Sequence, residues 1–161
     1  NYVINNKKKL GYDCSVRMGI KFALKKLKKK EIIFTFDGDG QHLAYEVPKF
    51  LNKIKNNDVV LGRRNYFNRY SESIVSFLSI ILDNINDPLT GFKCYKKSYL
   101  IEVFKILKNK NYLGMFFLKK IKKIDQVKIN IVKKSKSRIG WGIKVNYEIL
   151  LTYICIKLNL I

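Results

Sequence analysis

Two aspartates separated by one residue form the most chemically informative segment of this sequence. Residues 37–42 are Asp-Gly-Asp-Gly-Gln-His, and two carboxylates at this spacing can contact one hard cation. Mg²⁺ and Mn²⁺ prefer oxygen ligands and usually keep coordination positions open for the phosphate oxygens of a substrate. An isolated Asp-x-Asp often marks a solvated turn instead. Here the apolar strand predicted before it and the glutamine after it favour a cation site at Asp37 and Asp39.

A buried strand is predicted to position these acids. Residues 31–36 form a nearly continuous apolar and β-branched run, the pattern of a parallel strand that is buried on both faces. The two aspartates follow its carboxyl end. In open α/β sheets, ligands bind in the crevice outside the carboxyl ends of the strands, so this placement favours chemistry over packing.

The remaining periodicities predict one α/β domain over residues 1–161. Residues 127–131 alternate apolar and polar side chains, which indicates a strand with one wet face. A second short strand is predicted over 58–61. Apolar residues at helical spacing predict helices from residue 13 or 15 to about 30, and over 46–55, 71–82, 98–107 and 113–124.

Five segments in order resemble motifs of the family-two glycosyltransferases of GT-A fold, with the dolichyl- and undecaprenyl-phosphate sugar transferases as the nearest suggestion. The acidic segment at 37–42 is followed by a predicted helix containing Pro48. The other four segments are the Asn6–Gly11 loop with its helix, Val59–Arg64, Asp87–Lys93, and Ser137-Arg138 with Lys144. The resemblance implies a mostly parallel sheet flanked by helices, without the family's first strands.

The resemblance also implies a metal-dependent transfer of sugar from a nucleotide-sugar donor, with Mn²⁺ or Mg²⁺ as cofactor. Its implied residues fall into four groups. The metal ligands are Asp37, Asp39 and Gln41; the catalytic residues are Asp39 and Asp87; the donor phosphates contact Arg64, Arg69, Arg138 and Lys144; and the acceptor side includes Thr90, Gly91 and Phe92.

The sequence departs from the family in two places that bear on the substrates. The family's opening strands, which cradle the nucleotide base, have no counterpart, so we expect an N-terminally truncated domain with an unpaired edge on strand 31–36. Residues 111–123 also lack the acid often found after the acceptor motif. A phosphate acceptor is already ionised and needs no base. We therefore expect a polyprenyl phosphate, with a cell-envelope glycan as the alternative.

The formal charge of +21 indicates attraction to polyanions: nucleic acid, anionic lipid or phosphorylated substrates. Much of it could equally reflect the Lys, Asn and Ile preference of an AT-rich genome. Three scattered cysteines fit a reducing cytosol, and no apolar run is long enough to span a membrane. We expect a cytoplasmic protein peripheral to the inner face of the membrane. The alternatives are a basic nucleic-acid-binding module, which would not explain the acids after a buried strand, and an inactive fragment of a glycosyltransferase.

Overall fold

A four-stranded mixed sheet organises the part of the chain that the structure describes. The computed structural model describes residues 2–8, 10–26, 31–67, 69–107, 115, 123–132 and 143–160. The strands are β1 (Ile32–Thr35), β2 (Val59–Arg63), β3 (Lys93–Lys96) and β4 (Ile124–Lys128). Their spatial order is β1-β3-β2-β4. Strand β3 runs antiparallel to both β1 and β2, whereas β4 runs parallel to β2.

Five α-helices in the described residues cover both faces of this sheet. They are α1 (Tyr12–Lys26), α2 (Val47–Ile54, preceded by the 3₁₀ turn Ala44–Glu46), α3 (Tyr70–Asp83), α4 (Lys97–Leu107) and α5 (Ile143–Lys157). None of the helices in these described ranges is long and apolar enough to cross a membrane.

The alternation of side chains along β2 separates two apolar clusters. Val59 and Leu61 point to one face, where residues of α1, α3, α4 and α5 pack around them. Val60 points to the other face and packs with Phe50 of α2 and with Phe92. Successive strand residues face opposite sides of a sheet, so a strand that is apolar at consecutive positions must be covered on both sides.

The predicted α/β class is confirmed. The predicted mostly parallel sheet is wrong, because two of the three strand pairings are antiparallel. Three strands run in one direction, yet β3 lies between β1 and β2 and makes both of its pairings antiparallel. The predicted double burial of the first strand is also wrong. Only Ile33 of β1 is buried, and Phe36 beyond it is 60% exposed. Among the described residues β1 has one strand neighbour, so it lies at the edge of the sheet.

Two observed elements were absent from the sequence-based prediction, and the strand predicted over 127–131 is shifted towards the N-terminus, to Ile124–Lys128. Strand β3 and helix α5 were not predicted. Strand β4 begins at Ile124 rather than at residue 127, because the polar Asp125 and Gln126 take part in its pairing with β2. Most of the helix predicted over 113–124 lies outside the described residues, but Ile124 belongs to the strand.

Candidate functional site

The antiparallel strand β3 brings three separate sequence motifs to one edge of the sheet. Lys93 at the start of β3 is paired with Thr35 at the end of β1 and with Leu61 near the end of β2. The segment before β3, residues 87–91, therefore meets the residues that follow β1 and β2. Asp37 and Arg64 thus lie beside this segment although they are far apart in sequence.

Gly91 makes room for the first aspartate of the acidic turn. A Cβ on Gly91 would lie 2.5 Å from one carboxylate oxygen of Asp37 and 2.8 Å from the other. The hydroxyl of Thr35 donates a hydrogen bond to the carbonyl of Gly91 at 3.1 Å. A side chain at position 91 would thus displace the Asp37 carboxylate.

Backbone and side-chain hydrogen bonds hold the acidic turn in place. The Asp39 carboxylate accepts from the Gln41 backbone N–H at 3.0 Å, an arrangement that aspartate commonly makes in turns. The Gln41 side-chain amide donates to the Val132 carbonyl at 3.1 Å, and the Val132 N–H donates back to the Gln41 carbonyl. These bonds anchor the turn to the chain that follows β4.

The His42 side chain is half-buried and packs within the acidic turn. Its Nδ1 accepts a hydrogen bond from the Asp37 backbone N–H at 3.0 Å, and its ring centroid lies 5.2 Å from that of Phe92. Burial lowers the pKa of His42, against the opposing effect of Asp37 and Asp39. A neutral imidazole suits its observed role as an acceptor.

Arg64 is bound by the buried carboxylate of Asp87. Its Nε and Nη2 donate to the two Asp87 oxygens at 2.7 Å and 3.0 Å, and its backbone N–H donates to the same carboxylate at 3.2 Å. Asp87 is fully buried. The described contacts of Asp87 are those of a residue that positions Arg64, and its predicted catalytic role stays a prediction.

Glu72 joins Arg64 and Arg69, two of the three arginines that the resemblance assigned to the donor phosphates. This residue is in the first turn of α3 and is nearly buried. Its carboxylate lies 3.5 Å from Nη1 of Arg64 and 3.0 Å from Nη1 of Arg69. Glu72 was not predicted as a site residue, because a single acid at a helix start usually indicates favourable interaction with the helix dipole.

Lys93 is a buried cation at the centre of this edge. Its side chain is within the core, and burial lowers its pKa to about 8, while the negative charges of Asp87, Asp13 and Asp37 act in the opposite direction. A lysine is rarely buried unless carboxylates surround it. The resemblance included Lys93 in a motif but did not indicate its burial.

The described site is locally acidic although the whole chain is strongly basic. Five carboxylates (Asp13, Asp37, Asp39, Asp87 and Glu72) lie near three cations (Arg64, Arg69 and Lys93). An excess of carboxylate at one place favours a bound cation.

The other residues predicted from the resemblance divide between the core, the surface and the part of the chain outside the described ranges. Thr90 and Phe92 are buried; Thr90 Oγ1 accepts from the Phe92 N–H at 3.2 Å, and the Phe92 ring stacks 4.4 Å from Phe50. Lys144 is exposed at the start of α5. Two residues later, the Asn146 side chain accepts from the Ser71 N–H at 3.3 Å, which places this end of α5 beside Arg69. Arg138 lies outside the described residues.

The three residues that the resemblance assigns to a metal carry the kinds of oxygen atom that a hard divalent cation prefers. Asp37, Asp39 and Gln41 offer two carboxylates and an amide, and oxygen ligands of this kind suit Mg²⁺ and Mn²⁺. The Gln41 amide nitrogen is bonded to Val132, so the amide oxygen is the atom that a cation would contact. Across the described ranges no group of three or more His, Cys, Asp or Glu side chains could hold a metal. Such an ion would therefore depend on Gln41 and on substrate oxygens.

Sequence comparison assigns no family to this chain. No family model matches the chain. An uncharacterised protein of Methanocaldococcus jannaschii is 32% identical over 114 residues, which cover 62% of this chain and 49% of that protein. The chain therefore spans about half the length of the curated relative that it matches.

Proposed function

We propose that this chain contains the donor-binding part of a metal-dependent glycosyltransferase that takes sugar from a nucleotide-sugar donor. One observation carries the proposal. Asp37 and Asp39 follow the end of β1, and Asp37 packs on Gly91 beside the Arg64–Asp87 pair. Three segments that resemble glycosyltransferase motifs thus meet at one sheet edge, although nothing in their sequence spacing requires it.

The side chains at this edge have distinct proposed roles. Asp37, Asp39 and the Gln41 amide oxygen would hold Mn²⁺ or Mg²⁺, which offsets negative charge on a departing diphosphate. Asp87 and Glu72 orient Arg64 and Arg69, and a guanidinium held in one orientation binds phosphate with less loss of entropy. Arg138 and Lys144 remain proposed phosphate contacts, and Thr90, Gly91 and Phe92 remain proposed for the acceptor side.

The proposed acceptor is a polyprenyl phosphate. Its phosphate oxygen is ionised near neutral pH and can attack the anomeric carbon while the bond to the nucleoside diphosphate breaks, so no base has to remove a proton. A hydroxyl acceptor such as a cell-envelope glycan would need one. Transfer of radiolabelled sugar into the organic phase would support the lipid acceptor, and label found solely in soluble saccharide would exclude it.

Nucleic-acid binding is the competing function, and the formal charge of +21 favours it. The local excess of carboxylates at the candidate site argues against phosphate-backbone binding there without a metal. Oligonucleotide affinity falls steeply with salt when many phosphates are neutralised. Metal-bridged binding of a diphosphate depends on the metal instead.

Paired titrations separate these two functions. The affinity for a nucleoside diphosphate should be at least about tenfold higher with Mn²⁺ than with EDTA, since a metal bridge adds contacts worth at least about 1.4 kcal/mol. The affinity for a single-stranded oligonucleotide should be weak at physiological salt and independent of Mn²⁺. Tight oligonucleotide binding with a steep salt dependence, and equal diphosphate affinity with and without metal, would favour the nucleic-acid module.

A further inference from the structure

A groove between helices α1 and α4 is lined by none of the residues of the candidate site. It has a volume of about 710 Å³, and the N-terminal segment completes its wall. Binding clefts in proteins have volumes of roughly 300–1,000 Å³, so this groove is large enough to receive part of a partner molecule. Its apolar lining residues are Ile4, Met18, Phe22, Leu24, Ile101 and Phe104.

The apolar lining follows the repeat of both helices. Met18 and Phe22 lie four residues apart on α1, and Ile101 and Phe104 lie three residues apart on α4, so each pair shares one face of its helix. The Tyr2 ring packs against Phe22 with a centroid separation of 5.2 Å, which holds the N-terminal segment beside α1. The groove thus has a row of apolar side chains on each side, the arrangement that takes up the apolar face of an amphipathic helix.

Three lysines accompany the apolar lining. Lys21 and Lys25 of α1 and Lys105 of α4 line the groove and are exposed. None of the lining residues is acidic, and within the described part of the chain none of these lysines forms an ion pair with a carboxylate. The groove therefore favours a ligand that combines apolar and acidic groups.

The shallow wall of the groove favours a helix over a small molecule. Ile4 and Ile101 are each 41% exposed, and Met18 is 38% exposed. Small-molecule pockets bury about 70–90% of the ligand surface, which side chains this exposed do not achieve. An amphipathic helix needs cover on its apolar face alone, and its polar face stays in water.

The described helices of this chain do not supply an acidic partner for the groove. Glu148 of α5 is the only exposed acid in the five described helices. The net charge of +21 also makes two copies of the chain repel each other. These charges favour a helix from another protein.

We propose that the α1–α4 groove binds an amphipathic helix of a partner protein, whose apolar stripe is flanked by Asp or Glu. The stripe packs between the apolar rows of α1 and α4, and the flanking acids pair with Lys21, Lys25 and Lys105. This interaction surface is separate from the proposed sugar transfer, so neither proposal depends on the other.

A designed peptide is the probe for this groove. It has about 18 residues, because shorter isolated helices are marginal in water, with leucines at helical spacing and glutamates on both flanks. Fluorescence anisotropy at physiological salt should show binding at least about tenfold tighter than that of a peptide with glutamine in place of glutamate, since three exposed ion pairs together contribute about this factor. Equal affinity of these two peptides would overturn the acidic character of the partner.

A third peptide tests the apolar stripe. It keeps the glutamates but has serine in place of leucine, and it should bind at least about tenfold more weakly than the leucine peptide because it buries little apolar surface. Equal affinity of the leucine and serine peptides would overturn the proposal, since charge alone would then account for binding.

Charge insertion locates the binding on the protein. Met18→Glu with Ile101→Glu should weaken binding of the leucine–glutamate peptide about tenfold or more, because it places unpaired carboxylates between the apolar rows. Leu51→Glu with Ile80→Glu adds the same charge at positions of similar exposure and should leave binding within about twofold. Equal weakening by the two pairs of substitutions would place the peptide elsewhere and overturn the proposal.

Removal of two exposed lysines is a milder change that preserves the fold. Lys21→Gln with Lys25→Gln should weaken peptide binding about fivefold through the loss of two ion pairs. Lys55→Gln with Lys128→Gln removes the same charge at other exposed positions and should leave binding within about twofold. Circular dichroism and thermal denaturation compare the folding of each variant with wild type. Peptide affinity that is the same in both lysine variants would contradict the proposal.

Two further measurements identify other occupants of the groove. A single-stranded oligonucleotide that displaces the peptide, and whose own affinity falls in Met18→Glu, Ile101→Glu, would assign the groove to nucleic acid. Sedimentation of the peptide-free chain as a dimer that this variant dissociates would assign it to a second copy. Either result would overturn the proposal, whereas a monomer whose peptide resists oligonucleotide competition would support it.

Discussion

At the scale of single residues, Gly91 is the point where the Asp87–Lys93 segment meets the acidic turn. The space that a methyl group would fill at this position is taken by the Asp37 carboxylate. The resemblance placed Gly91 on the acceptor side, whereas a Cβ added at this position would first meet the Asp37 carboxylate of the proposed metal site. The sequence identified the residues that meet here but not the contact between them. Spacing along the chain cannot show which atoms approach across 54 residues.

Gly91→Ala should therefore weaken metal-dependent binding. The added Cβ would stand 2.5 Å from a carboxylate oxygen of Asp37, so Asp37 must move away from its position. We expect diphosphate affinity with Mn²⁺ to fall about tenfold or more, which corresponds to loss of one metal ligand interaction of at least about 1.4 kcal/mol. Gly19→Ala in α1 meets no atom within 4 Å and is the control. Equal affinity in both variants would show that Asp37 is not a ligand.

Lys93 should make stability depend on pH. Its pKa falls from 10.5 to about 8 on burial, so below pH 8 the folded protein carries the full cost of a buried ammonium. Between pH 8 and 10.5 the unfolded chain binds more protons, and stability rises with pH. Relative to Lys93→Met, the wild-type free energy of unfolding should rise by roughly 3 kcal/mol over this range.

Urea unfolding at several pH values measures this difference. Lys96→Met is the control, because Lys96 lies on the same strand but is about one-third exposed. The difference in free energy of unfolding between Lys96→Met and wild type should change little between pH 8 and 10.5. A Lys93→Met difference that is equally flat would contradict the proposed burial of the charge.

At the scale of elements, the predictions succeeded where the periodicity was strong and local. Helices α1 to α4 and the cores of β1 and β2 were predicted from apolar spacing. Strand β3 was missed because it has only four residues, bears lysine at both ends and continues directly into α4. Helix α5 was missed because its apolar residues occupy exposed as well as buried positions, and no single stripe stands out.

Strand β3, which was not predicted, determines the geometry of the site. The contact that holds the segment before β3 against β2 can be tested by mutation. Asp87 ties the segment before β3 to the end of β2 through three hydrogen bonds to Arg64. Removal of one partner from a buried ion pair leaves an uncompensated charge and costs about 3–5 kcal/mol. We expect Asp87→Asn to lower the free energy of unfolding by about this amount.

Asp125→Asn provides the control for this measurement. Asp125 pairs with Lys53 at 2.8 Å, but both side chains are well exposed, and exposed pairs contribute about 1 kcal/mol or less. Denaturant unfolding that gives the same small loss for both variants would show that Asp87 does not hold β2 and β3 together.

At the scale of the whole molecule, the net charge favours anionic partners, whereas the carboxylates of the candidate site favour a cation. The net charge of +21 is a property of the entire surface, whereas the described site is locally acidic. Composition alone predicted attraction to polyanions but could not reveal this separation, because it depends on which side chains the fold brings together.

The most direct test of the account is the coupling between metal and nucleoside diphosphate. Calorimetry should show that Mn²⁺ raises diphosphate affinity at least about tenfold in the wild-type chain and in Asp125→Ala, whose substituted carboxylate lies at the opposite end of the sheet strands. In Asp39→Ala the enhancement should disappear, because a proposed ligand of the bridging ion is lost. Wild-type affinity that is the same with Mn²⁺ and with EDTA, or an enhancement that survives Asp39→Ala, would contradict the proposed metal site.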